Sequence, residues 1–209
     1  MSRATRAGLA GALALAALGC ASTSFNSTWK NPAAQGPLNF KGKKVAALIV
    51  SKEEGVRYGA EDALAREITA RGAVGIAAYS LIPKELTQDK EKAKEFLAKA
   101  GVAGVVAMRA VGKEQEISSS PGGYYWGGPA YATFWGGGYY GYGWGGVYSP
   151  GYVRTDTIMH VEILVYSLDQ DKLVWAARSE TTNPEKVGPF IKELTAKAAA
   201  EMKKQGLIQ

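Results

Sequence analysis

Val45-Ala46-Ala47-Leu48-Ile49-Val50 is an unbroken apolar run between Lys43-Lys44 and Ser51. A run of that length without alternation suits a strand covered on both faces, as in a parallel sheet with helices packed against it. Ser51-Lys52-Glu53-Glu54 follows with a capping-box pattern, Ser51 as N-cap and Glu54 three residues on. Val56, Ala60, Leu64 and Ile68 then recur at helical spacing, which predicts a helix to about Arg71 with Gly72 as its stop. Gly55 and Gly59 weaken its first turn.

Further along, Val74 to Tyr79 reads as a second short strand, and Gln88 to Ala100 as a helix with an Ala93, Phe96, Leu97 and Ala100 stripe closed by Gly101. A third strand is expected from Val102 to about Ile117. Strands and helices alternating at this length predict right-handed crossovers and a parallel three-strand unit. The chain then changes period. Ile158 to Leu168 alternates, with Met159, Val161, Ile163 and Val165 on one side, and Leu173 to Thr181 returns across Asp169-Gln170-Asp171. A three-residue loop sets Val165 opposite Trp175 and Ile163 opposite Ala177 on the buried face. Glu162 then faces Arg178, and His160 faces Glu180 as a surface pair. A two-residue loop would set Ile163 against Arg178, so the first register is expected. Pro189 belongs in the first turn of a last helix, which starts it near Val187. Phe190, Ile191, Leu194, Ala198 and Met202 point inward, and Gly206-Leu207 fits a Schellman ending. The expected fold class is α/β: a single domain with a mixed sheet in βαβαβ–ββα order.

A long insertion separates the third and fourth strands. Residues 121–152 hold 12 glycines, 12 aromatics and no charged residue. The candidate contact surface is Tyr124, Tyr125, Trp126, Trp135, Tyr139, Tyr140 and Trp144. Four readings stay open: a flexible loop, a surface for another envelope protein or a glycan, contact with the bilayer interface, and a spanning hairpin of an oligomeric pore. None of its glycine pairs is followed by the Lys-Ser/Thr of a phosphate loop.

At the other end, Arg3 and Arg6 precede an apolar run from Leu9 to Leu18, and Cys20 follows Gly19. A basic start, a short apolar centre and small residues at the exit make a secretory signal peptide over 1–19. The run is shorter than the roughly 20 residues a membrane span needs. Cys20 resembles the lipobox cysteine of bacterial lipoproteins, whose thiol is acylated; a free thiol or a buried core cysteine are the alternatives. Residues 20–37 read as a lipidated tether and 38–209 as the domain. Trp29 in the tether is either a latch on the domain or an interfacial anchor.

Composition narrows the chemistry. Removal of residues 1–19 leaves 190 of 209 residues and, with Arg3 and Arg6 gone, lowers the net charge from +6 to +4. Lys and Arg are mixed with acids, as in Lys90-Glu91-Lys92, so no nucleic-acid partner is expected. Cys20 is the sole cysteine and His160 the sole histidine, which leaves no disulfide, metal site or cofactor to expect. Asp156, Glu162, Asp169 and Asp171 near the last hairpin are read as solvated or ion-paired rather than as an acid/base pair. Arg57 and Glu61 are spaced as an i, i+4 pair worth about 0.3 kcal/mol. No catalytic residue is expected.

Ser27-Thr28-Trp29-Lys30-Asn31-Pro32, Lys43-Lys44-Val45, Arg57 with Glu61-Asp62, Tyr79-Ser80, the Gly/Tyr-rich insertion and Gly206-Leu207-Ile208 occur in this order. Together they resemble a family of uncharacterised bacterial lipoproteins. The element order is more distantly similar to the TolB amino-terminal domain and the curli-secretion lipoprotein. The resemblance implies a periplasm-facing outer-membrane lipoprotein, anchored in the membrane through its lipid, with no family catalytic residues. Ala21, rather than Asp, after the cysteine resembles the outer-membrane sorting pattern. A non-enzymatic accessory or binding module is therefore expected; the alternative is a subunit of an oligomeric ring or pore built on the insertion.

Overall fold

The computed structural model describes residues 22–83, 89–116, 156–184 and 186–209. The apolar run forms strand β2 (Lys44–Val50), parallel to β3 (Val74–Ala77) on one side and to β4 (Val102–Glu116) on the other. β4 pairs antiparallel with β5 (Asp156–Ser167), β5 with β6 (Lys172–Thr182), and β6 with β1 (Ser22–Lys30). The six-stranded mixed sheet has the order β1-β6-β5-β4-β2-β3. Helices α1 (Glu54–Thr69), α2 (Lys90–Lys99) and α3 (Val187–Lys204) complete a single α/β domain among the described residues.

Side-chain period decides which face each helix covers. Val45, Ala47 and Ile49 of β2 point to one face with Met108, Ile163 and Trp175, and there meet Leu64 of α1 and Ile191 and Leu194 of α3. Each fully buried Leu or Ile in that layer contributes about 1.5–3 kcal/mol. Ala46 and Val105 point the other way and meet Ala93 and Leu97 of α2. α1 lies close on β3 because residue 75 lacks a side chain: a Cβ at Gly75 would fall 2.0 Å from the Ala65 carbonyl oxygen.

The hairpin register matches expectation: Val165 lies opposite Trp175, Ile163 opposite Ala177, Glu162 opposite Arg178 and His160 opposite Glu180. The turn, however, takes Leu168–Asp171, and Val174 is passed over between the Tyr166–Leu173 and Val165–Trp175 pairs. That bulge absorbs the extra loop residue and restores the expected pairing. α3 ends in a Schellman motif, Gly206 N donating to Lys203 O and Leu207 N to Met202 O, with Leu207 buried.

Three expectations need correction. Ser51 does not cap α1; its Oγ accepts from Glu53 N at 3.2 Å, the connection turns there, and the helix begins after Glu53. Phe96 is exposed, because α2 turns only Ala93 and Leu97 fully inward, and the Lys99 ammonium sits 6.0 Å from the Phe96 ring centre. Residues 22–30, expected within a tether, form edge strand β1. Thr23 is buried with its hydroxyl 2.7 Å from that of Thr181, and Phe25 meets Trp175 edge-on at 6.1 Å. Trp29 packs with Ala107, Leu164 and Ala176 on the opposite face, which is the latch reading.

Candidate functional site

The stretch between β1 and β2 is tied down at several points. Leu38 N donates to Leu207 O at 2.6 Å, and Gly42 N donates to Gly72 O at 2.8 Å. The Phe40 ring lies over Gly104, where a Cβ would come within 2.6 Å of it. Residues 37–41 thus form a strap across the open side between α1, α3 and the sheet. Beneath it is a cavity of about 380 Å³. Val45, Val106, Met108, Ile163 and Val165 make its sheet side, while Ala198, Ala199 and Met202 of α3 line it from the helix side. Asn39, Lys41, Arg71 and Gln209 also border it. The local sequence explains the space: Ala73, Ala198 and Ala199 stand where larger side chains would close it.

The space opens to solvent beside the strap, while its deep wall is apolar. Thr195 lines the cavity, but its hydroxyl donates to Ile191 O at 2.6 Å. The volume falls in the range of small-ligand pockets.

A second feature lies at the far end of β2 and β3. Glu61 is buried, not on a solvated helix face as the Arg57 spacing suggests. Its Oε1 accepts from Ile49 N at 3.2 Å and its Oε2 from Tyr79 N at 2.7 Å, joining two strand ends through one carboxylate. Burial raises its pKa from 4.5 to about 7, against the lowering effect of the two backbone donors and of Arg57. The Arg57 guanidinium stacks on Tyr58, 4.9 Å from the ring centre, and Tyr58 packs on Tyr79 at 4.6 Å. Tyr79 donates to Asp62 at 2.9 Å.

His160 also departs from expectation. It is buried rather than on the surface, and its Nε2 lies 3.3 Å from Oε1 of Glu114 on β4. Gly112, its neighbour on β4, leaves room for the ring: a Cβ there would meet it at 3.3 Å. Glu180 instead accepts from Asn26 Nδ2 at 3.0 Å. Glu162 is buried and held by Arg109 at 2.6 and 2.7 Å. Asp169 pairs with Lys43 at 2.9 Å, and Asp171 pairs with Lys94 at 2.6 Å. Glu162, Asp169 and Asp171 are each paired with a different cation, and the Asp156 side chain lies outside the described residues. Among the described residues no group of three or more His, Cys, Asp or Glu could hold a metal, and no helix is long and apolar enough to cross a membrane. Cys20 and the aromatic set Tyr124, Tyr125, Trp126, Trp135, Tyr139, Tyr140 and Trp144 lie outside the described residues. Sequence reasoning missed the cavity, although the alanine-rich stretch Ala196-Lys197-Ala198-Ala199-Ala200 on α3 was its signal.

No protein-family model matches the sequence, and no curated protein matches it. Solved structures similar to it include two PelC dodecamers and a lipoprotein. A point variant of the PelC dodecamer from Paraburkholderia phytofirmans has 15% identity and a TM-score of 0.47, over 91% of this chain and 99% of that one. A second PelC dodecamer from the same organism has 14% identity and a TM-score of 0.44, over 85% and 94%. Lipoprotein GNA1162 from Neisseria meningitidis has 10% identity and a TM-score of 0.40, over 78% and 99%.

Proposed function

We propose that this chain is a non-enzymatic accessory and binding module of the cell envelope, fixed to the outer membrane through an acylated Cys20. The observation that carries the binding part is the cavity under the strap, lined by the centre of the sheet and bordered by polar residues. The anchor follows from the basic–apolar–cysteine order of the first twenty residues. β1 begins at Ser22, so an acyl group on Cys20 stands within about 7 Å of the sheet edge. A non-enzymatic role fits side chains already committed: Glu61 to two backbone amides, Glu162 to Arg109.

Fractionation tests the anchor. The native protein is expected with outer membranes and the Cys20→Ser protein in the soluble periplasm; unchanged membrane association of the variant refutes the anchor. Binding is tested on the full-length Cys20→Ser chain with a neutral apolar fluorophore. Saturable binding near one site per chain is expected, with loss in Ala199→Trp, which plugs the cavity from a half-buried position. Binding that is absent, or unaffected by the plug while the variant melts normally, refutes this site.

A further inference from the structure

We infer that the cavity takes a single-chain amphiphile with an anionic head, a long-chain fatty acid, its tail against the sheet and its carboxylate at Lys41. This rests on the reading of the cavity as a binding site and adds the ligand class. The deep surface is made by Met108, Ile163 and Val165, all buried and apolar, and the Thr195 hydroxyl is bonded within its own helix. A polar group pushed into that depth would lose its water without gaining a partner, so the inner part of the ligand is hydrocarbon.

Lys41 and Arg71 are the cations bordering the cavity. Arg71 is held by Glu67, its Nη1 donating to the carboxylate at 2.8 Å and to the Glu67 carbonyl at 2.6 Å. Nearby Lys43 is held by Asp169. The Lys41 residue is exposed and makes no ion pair among the described residues. A carboxylate emerging there completes its charge, whereas a cationic head would face it directly.

The chain's own acyl group is the wrong occupant. The cavity lies by the start of β2, whereas Ser22 pairs with Thr182 at the opposite end of the sheet. Nine residues of β1, about 30 Å of strand, separate the two ends. An acyl group on Cys20 is therefore not the ligand.

The test uses the full-length Cys20→Ser chain, the neutral fluorophore, and dodecanoate against dodecanol as displacing ligands at pH 8. Dodecanoate is expected to bind about two- to fivefold more tightly than dodecanol, the gain from one exposed charge pair. Lys41→Glu is expected to remove that preference with the melting temperature unchanged, and Ala199→Trp to remove binding of both. If the fluorophore binds but dodecanoate fails to displace it, or shows no preference over dodecanol, or keeps its preference in Lys41→Glu, the fatty-acid assignment fails and the binding site stands. If nothing enters the cavity, both fail together.

Discussion

Glu61 couples the fold to pH through a single carboxyl. Its pKa of about 7, against 4.5 for the ordinary group, means the folded state holds its proton over a range where the unfolded chain has lost it. The stability linked to that proton is fully present below about pH 4.5 and is lost as pH rises through 7, a change of about 3 kcal/mol. Urea midpoints at pH 5, 7 and 9 are expected to fall in that order. Glu61→Gln should flatten the slope and lower stability at pH 5 by about 1–3 kcal/mol, because an amide cannot accept from both Ile49 N and Tyr79 N without turning a donor on one of them. The i, i+4 spacing of Arg57 and Glu61 was legible in the sequence, but their depth was not: nothing local says that two strand ends converge on residue 61. Glycine makes the same point at two positions. Gly75→Ala is expected to cost about 2 kcal/mol or more, since the Ala65 carbonyl must move. Gly55→Ala, with nothing within 4 Å, should stabilise by about 0.5–1 kcal/mol. Chemical denaturation of the two variants checks the contrast.

At the scale of elements, β1 was the one the sequence hid. Phe25 and Trp29 are four residues apart and would share a face in a regular strand. They lie on opposite faces because the register with β6 shifts between Phe25 and Ser27, leaving Asn26 as a bulge. A broken period on a polar stretch reads as linker. Phe25→Ala is expected to destabilise the domain by about 2 kcal/mol, part of a core Phe truncation because the ring is half-buried; a shift in the urea midpoint with unchanged slope would confirm it. A midpoint that does not move would make β1 the tether it was read as. The β5–β6 register from His160 to Val165, by contrast, was legible, since one face had to stay apolar. The loop itself was misjudged, because a bulge lets a longer turn reach the same pairing.

For the whole molecule, the layout of helices on the sheet followed from period alone, while the cavity did not, since it is a shortage of volume distributed over α3, the strap and the residues before β3. Ala198→Leu is expected to raise stability by about 0.5–2 kcal/mol by filling part of that shortage, and to weaken fluorophore binding in parallel. A gain in melting temperature without a loss of binding would separate the packing defect from the site. The same layout bears on the proposed anchor. Were Cys20 acylated as proposed, the short link to Ser22 would plant the domain on the membrane by that end of its sheet, with the opening beneath the strap turned toward the aqueous compartment. Cargo would then be handed over from the water side by something soluble or reaching in, rather than drawn sideways out of the leaflet on which the protein stands.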